Sequence, residues 1–510
     1  MRKTVTLPLS REQLFSGEIA RRIPYHAMYG EPYCLPAMTI YTAAEYEQLR
    51  IGSERVDHLY RKTLHFVQEY LPDDYLVEQL GIHPLLARTA RERIPWDGLT
   101  RLDWIISLDG ELKCIENNTD TPSGIPEVAF LEEELLSHIP GLLPASGRMN
   151  EQIQYMFRQA LAYYSERGLG DNIHFTSYDW HEEDRMNTMY LLEQCQAAGI
   201  KAAYVPLEQL TIVPEQGLYH QEERITILYR LYPLEYLVED REEESGRAVG
   251  EDLLQLVADG RLGLINPAQH IITQSKGFMA TLWSLYERND QMQDYAGFTL
   301  FTTEECSWIR QYLLPTYFTD EPFRRGQIPY VSKGYFGREG QGTRLVEQPG
   351  QEKLSVEMTP SPDTPDTPDT PDTPDTPDTP DTPDTGEFYA NPDDAGEQSG
   401  PDTKDSTAIS PDSDSDQAEQ ERLAAEAITA YYEEQPKIYQ QLHPMEPVRA
   451  VTQEGTHEGY LLTGAFVIGG RFAGLLPRIG GKVTDNLACY CAAAVAPADE
   501  HSAFDSESSS

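Results

Sequence analysis

The sequence predicts a mixed α/β protein, and three observations carry that expectation. Strand-like runs rich in Val, Ile and Tyr alternate with amphipathic helical runs over most of the 510 residues. Glycine turns join apolar strands at Asp109–Gly110 and at Gly469–Gly470, both strong two-residue hairpin signals. A 39% hydrophobic content is ample for a large core.

The elements follow in order. "RLDWIISLDGELKCIENN" (101–118) reads as two strands about Asp109–Gly110. "TDTPSGIPEVAFLEEELL" reads as a tight turn entering a helix, with Pro126 in its first turn and Ser123 or Gly124 as cap. Free amides at such a start favour anions, although ordinary capping explains the same residues. "HFTSYDW" is a strand, 184–198 is a helix with Met186, Met189, Leu192 and Cys195 at helical spacing, and "KAAYVPL" is the next strand, together a βαβ unit. "ITILYRLYP" continues as strand, and "GEDLLQLVADGRL" and "GFMATLWSLYER" as helices, with Lys276 just before the latter. "YVSKGYFGREGQGTRLVE" (330–347) is a strand, a loop with Gly337, Gly340 and Gly342, and a second strand. Its bare amides can close over phosphates, and Lys333 and Arg338 add positive charge, but it is not a P-loop. A helix "AEQERLAAEAITAYYEEQ" and the hairpin "GAFVIGGRFAGLLPRI" complete the chain.

One segment departs from this pattern. Pro362–Thr385 repeats Pro-Asp-Thr eight times, and residues 351–420 hold 20 acids against two lysines. Proline at every third position forbids helix and sheet ladders, which predicts an extended, disordered spacer. We therefore expect one folded domain made of 1–350 and 422–500, an acidic insert at 351–421, and a disordered tail at 501–510. Deleting 355–415 should leave fold and ligand binding nearly unchanged, because loop length costs only logarithmic entropy.

Charge narrows the function classes. The formal charge is −44, and −26 remains without the insert, which disfavours nucleic acid and anionic membranes as partners. Six dispersed cysteines without a CxxC pair fit a reducing cytoplasm, and Cys489 and Cys491 sit at strand spacing in a core-like run. The N-terminus lacks a signal-like apolar stretch, and no run reaches the ~18 apolar residues of a membrane helix. His181 and His443 have no partner at metal-ligand spacing and read as structural.

The first hairpin carries the chemistry. If Asp109–Gly110 is a two-residue turn, Asp103 lies opposite Glu116 and Arg101 opposite Asn118, all on one face. Two opposed carboxylates repel, so a bound cation, Arg101 or a raised pKa must compensate. Carboxylate and amide oxygens together suit Mg²⁺. From spacing alone a metal site and a solvated hairpin face both stay open, and a longer loop would shift the register.

Taken together, "RLDWIISLDGELKCIENNTDTPSGIPE", "DWHEEDRMNTMYLLEQCQAAG", "LYRLYPLEYL", "NPAQHIITQSKGFMATLW", "YVSKGYFGREGQG", "PKIYQQL" and "GAFVIGGRFAGLLPRIGGKVTDN" resemble the synthetase domain of the glutathionylspermidine synthase family. They occur in the family's order over roughly residues 95–490. The resemblance implies an ATP-grasp-like ligase fold with a pre-ATP-grasp α/β subdomain, and ATP and Mg²⁺ as cofactors. It implies Mg²⁺ ligands at Asp103, Glu116 and Asn118, and a phosphate- and substrate-side arginine at Arg101. It puts phosphate lysines at Lys276 and Lys333, Gly340 in the phosphate-covering loop, and Gln441 and Leu442 beside the adenine. Substrate positions fall on Thr121, Ser123, Glu182, Glu183 and Arg478, and the mobile-loop arginine over the reacting centre falls on Arg338.

The implied reaction is amide formation between a small-molecule or peptide carboxylate and an amine, through an acyl phosphate. Two departures bear on the substrate: no amidase module precedes the match, and Leu231 stands where the family commonly has a substrate-contacting threonine. They keep a second reading open, a regulatory ATP-binding protein without turnover. A scaffold organised by the Pro-Asp-Thr tract is a third. Oligomeric state is not encoded in any of these features.

Overall fold

The computed structural model describes residues 2–28, 30–242, 245–349 and 434–497. The Pro-Asp-Thr tract, the C-terminal tail and all but the last two residues of the helix expected at 418–435 lie outside them.

A mixed eight-stranded sheet forms the centre. Its order is Thr4–Thr6, Cys34–Tyr41, Cys489–Val495, Arg471–Gly480, Thr456–Ile468, Leu99–Ile106, Leu112–Asn118, with Pro447–Val451 beside the start of Thr456–Ile468. Alternate residues of these strands enter two different cores. Leu102, Trp104, Ala465, Val467, Leu475 and Cys491 pack with Val56, Leu59 and Tyr60 of helix Ala43–Tyr70. Phe466, Ile468, Leu476, Tyr490 and Ala492 pack with Ile153, Met156 and Phe157 of helix Met149–Glu166. A sheet buried on both faces explains why Leu99–Ile106 is buried throughout. The helix Ala43–Tyr70 starts at a capping box of Thr42 and Glu45.

The expected βαβ unit is present. Asn172–Thr176, helix Glu182–Ala197 and Lys201–Tyr204 join Ile227–Arg230 and Gly263–Ile265 in a four-stranded parallel sheet. The glycine-rich hairpin is Tyr330–Gly334 paired with Arg344–Val346, and Lys437–Gln441 and Thr316–Tyr317 complete an antiparallel sheet of four. Strands from 434 onward therefore sit between strands that precede residue 349 in both sheets.

Both hairpin turns form, one with a difference. Gly469 and Gly470 take φ of 59° and 75°, as a two-residue type I′ turn requires. At the first hairpin the loop has three residues, not two: Ser107 N donates to Glu111 O at 3.0 Å and Gly110 N to Ser107 O at 2.9 Å. Gly110 there has φ +82°, the left-handed residue of the three-residue hairpin loop. The loop shifts the register by one, pairing Trp104 with Cys114, and a bulge then restores it, pairing Asp103 with Glu116 and Arg101 with Asn118. The expected juxtaposition is thus reached by two compensating irregularities. No described helix is long and apolar enough to cross a membrane.

Candidate active site

The hairpin Leu99–Asn118, the glycine-rich hairpin and the C-terminal ends of the parallel strands enclose a cavity of about 520 Å³. Ligands in α/β folds characteristically bind beyond such strand ends, here marked by Tyr178, Leu231 and Tyr232.

The floor is a charge cluster. Asp103, 3% exposed, accepts from Arg101 Nε at 3.0 Å, Arg101 Nη2 at 3.3 Å, Asn118 Nδ2 at 3.2 Å and Arg478 Nη2 at 3.1 Å. Burial alone would raise its pKa, but Arg101, Arg478 and these hydrogen bonds hold it below the usual carboxylate value. The guanidinium of Arg101 can lie here because Gly464 faces it from the neighbouring strand, where a Cβ would come within 2.8 Å of Arg101 Cδ. Glu116 Oε1 pairs with Lys276 Nζ at 2.9 Å. The repulsion expected between Asp103 and Glu116 is therefore answered by Arg101, Arg478 and Lys276.

The lysines are not solvated. Lys276 is 4% exposed, and its Nζ also donates to Gly337 O at 2.7 Å. Lys333, 6% exposed, donates to Ile115 O at 2.9 Å and to Gln440 Oε1 at 3.0 Å. The bulge residue Ile115 thus presents its carbonyl to a lysine of the opposite hairpin. Burial pushes Lys333 down to about 8, with Lys276 adding to the shift and Glu116 opposing it.

The glycine-rich tip folds over this floor. Arg338 donates to Glu235 Oε1 and, at 3.2 Å, to Thr121 Oγ1. Gly340 has φ +73°, and a Cβ on it would lie 2.7 Å from Thr484 O, so the tip seats directly on the 482–485 loop. Gln441 and Leu442 line the cavity where Gln441 N donates to Pro315 O and Leu442 N to Pro329 O.

Ser123 lines the cavity, and its carbonyl accepts from Arg101 Nη1 at 3.1 Å. Glu183 lines it as well, with Asp184 and Glu339 beside it. Burial pushes all three carboxyls up, Asp184 adding to the shift of Glu183 and Glu183 to that of Glu339. Glu182 is not among the lining residues; it is exposed at the first position of its helix. His181 is that helix's N-cap, accepting from Asp184 N, and it also lines the cavity. His443, read as structural, lies on the cavity wall.

The turn after the first hairpin is capped, although not by Ser123 or Gly124. The amides of Gly124 and Ile125 both donate to Asn187 Oδ1 at 3.0 Å, so this helix start is capped from another helix and offers no open anion site. Other supporting residues escaped sequence reasoning. Asn266 Nδ2 donates to Leu99 O and Thr119 O, and Gln274 Oε1 accepts from Thr119 N and Asp120 N. Amide side chains on opposite sides of a fold carry no periodic signal, although Asn266 and Gln274 stand in the "NPAQHIITQSKGF" motif.

The donor set of Asp103, Glu116 and Asn118 consists of hard oxygens, which fits Mg²⁺ sharing its shell with phosphate and water. Among the described residues no group of three or more His, Cys, Asp or Glu is placed to hold a metal by itself.

The profile of the glutathionylspermidine synthase preATP-grasp family matches residues 20–361. A provisionally named acid–amine ligase of Haemophilus influenzae is 23% identical over 243 residues, 46% of this chain and 52% of that protein. The match thus spans about half the length of that relative. A provisionally named γ-glutamylcysteine synthetase from Methylobacillus flagellatus is similar at a TM-score of 0.38 and 9% identity, over 84% of each chain.

Proposed function

The chain belongs to the glutathionylspermidine synthase preATP-grasp family, and from that premise we propose that it is an ATP- and Mg²⁺-dependent carboxylate–amine ligase acting through an acyl phosphate. One observation carries this reading: Lys276 pairs with Glu116 and Lys333 with the carbonyl of Ile115, while Arg338 lines the same cavity as Asp103, Glu116 and Asn118. Acids meeting buried cations at a glycine-roofed cavity suit a nucleotide phosphate chain with its metal.

Asp103, Glu116 and Asn118 would hold the Mg²⁺, which neutralises phosphate charge when bound. Lys276 and Lys333 offset the remaining phosphate charge, with Arg101 beside them, and Gly340 keeps the roof close. Gln441 and Leu442 line the adenine end. The acyl donor's carboxylate oxygen attacks the γ-phosphorus of ATP, the bond to the β,γ-bridging oxygen breaks, and ADP leaves. The amine nitrogen then attacks the acyl carbon, inorganic phosphate leaves, and a carboxylate such as Glu183 takes the amine proton. Arg338 and Arg478 stabilise the tetrahedral oxyanion. Thr121, Ser123 and Glu183 form the donor-side wall, and Glu182 assists only from outside the cavity. Leu231 makes part of that wall apolar, which leaves donor and amine to be identified.

Full-length protein is screened for ADP release with Mg-ATP, γ-glutamyl and other small peptides, polyamines and amino acids. ADP release that requires both a carboxylate and an amine, with the condensation product seen by mass spectrometry, supports the ligase. Mg-ATP binding by calorimetry without ADP release across the panel overturns it in favour of the regulatory reading.

A further inference from the structure

Arg338 is held by an acid to which no role has yet been given. Its Nε and Nη2 donate to the same oxygen, Glu235 Oε1, at 3.0 and 2.6 Å. Glu235 is 7% exposed, and its second oxygen is buried with no hydrogen-bond partner among the described residues. It sits in the short helix Leu234–Leu237, just beyond the parallel strand Ile227–Arg230. That helix is pinned in turn. Asp120 accepts from Leu234 N at 3.0 Å and from Arg230 Nη1 at 3.2 Å. The contacts close a ring: Asp120 fixes the helix, the helix carries Glu235, Glu235 holds Arg338, and Arg338 returns to Thr121, the residue after Asp120.

We propose that Glu235 is the positioning residue that seats Arg338 over the cavity, and that this ring is the latch between the glycine-rich roof and the parallel-sheet side of the site. The roof brings a cation toward a cavity lined by Arg101, Arg478 and Lys333, whose nearest acids on the floor are already engaged, Asp103 by the two arginines and Glu116 by Lys276. Glu235 is the anion its guanidinium meets. The dependence is mutual, because Arg338 is the one cation paired with Glu235 among the described residues, and a buried carboxylate that loses such a partner is left uncompensated. The tip itself, with glycines at 337, 340 and 342, has few side chains to fix its position.

The role of Arg338 rests on the ligase reading, whereas the latch is read from the roof directly. Four full-length proteins are compared: unmodified, Glu235→Gln, Arg338→Gln and the double variant. Steady-state ADP release gives kcat and KM, and hydrogen–deuterium exchange reports residues 334–343. Glu235→Gln is expected to lower kcat about a hundred-fold with KM for ATP nearly unchanged. It should also speed exchange at the tip, and cost nothing more in the Arg338→Gln background. Additive losses in the double variant, or a slower enzyme with unchanged tip exchange, overturn the proposal. If Glu235→Gln does not fold, Glu235→Asp keeps the charge with a shorter reach and should give the same pattern in weaker form. No ADP release from the unmodified protein would remove the ligase reading, and tip exchange alone would then decide the latch.

Discussion

Two glycine-turned hairpins face each other across the cavity, and they are held by different means. Leu99–Asn118 lies within the central sheet, and its charged residues are fixed by strand register and by partners on neighbouring strands. Asp103 meets arginines from its own strand and from Arg471–Gly480. The hairpin Tyr330–Val346 lies at the rim of a smaller sheet, and its tip is tied down by side-chain contacts and close packing: Arg338 to Glu235 and Thr121, Gly337 O to Lys276, and Gly340 against the 482–485 loop. Lys276 is the strut between them, reaching Glu116 on one and Gly337 on the other. On the proposed reading, sheet register gives the metal-side acids one fixed place, and the roof over them is held by side-chain contacts instead.

The largest effect should come from breaking the fixed side. Asp103→Asn removes the charge that Arg101 and Arg478 share, and should cost about 3 kcal/mol in unfolding free energy by denaturation. It should also reduce ADP release at least about a thousand-fold. Persistence of wild-type ADP release would remove Asp103 from the site. Lys276→Met cuts the strut. The expected loss is about a hundred-fold in ADP release, with faster exchange at residues 334–343 and little change in melting temperature. A large fall in melting temperature without change in the roof would make Lys276 a core residue only.

The contrast also explains what was legible in the sequence. Register is a local property, so the Asp-Gly turn and strict alternation brought Asp103, Glu116, Arg101 and Asn118 together correctly. The route differed, since the three-residue loop and the bulge at Ile115 cancel, and neither has a distinct signature in "ISLDGELKCIEN". Contacts across the cavity were not legible. Glu235 stands 103 residues from Arg338, and Asn187 caps a helix start 62 residues away. Both fall in quoted motifs as ordinary polar residues, because sequence spacing says nothing about what folds against them. The spacing around Lys276 likewise marks neither Glu116 nor Gly337 as its partner.

A gentler probe titrates the roof side. Lys333 is held down to about 8 chiefly by burial, so in the free protein its charge is lost as pH rises through that value. Mg-ATP affinity should therefore weaken above pH 8, by up to about ten-fold per unit for one proton. Lys333→Met should bind more weakly and lose that slope in calorimetry. A slope unchanged in the variant would assign the titration to another group.

The smallest effect sharpens the comparison from the opposite side of the central sheet's chemistry, where a buried acid has no cation. Glu127 accepts from Tyr33 Oη at 2.9 Å, and its other oxygen has no hydrogen-bond partner among the described residues. Burial, with Glu183 adding to it, pushes its pKa up to about 7, against the lowered value of Asp103. Between the ordinary carboxylate range near ~4.3 and about 7, the folded chain keeps a proton that the unfolded chain releases. This group's share of stability is therefore present in acid and is lost as pH rises through 7. Glu127→Gln mimics the protonated form at all pH values. It should melt close to the unmodified protein at pH 4 and about 3 °C above it at pH 8. Glu132, pushed to about 8 by burial, is unchanged in both proteins and drops out of the difference. A gap that is the same at both pH values would mean that Glu127 keeps its charge in the folded state, with Tyr33 stabilising it as arginines stabilise Asp103.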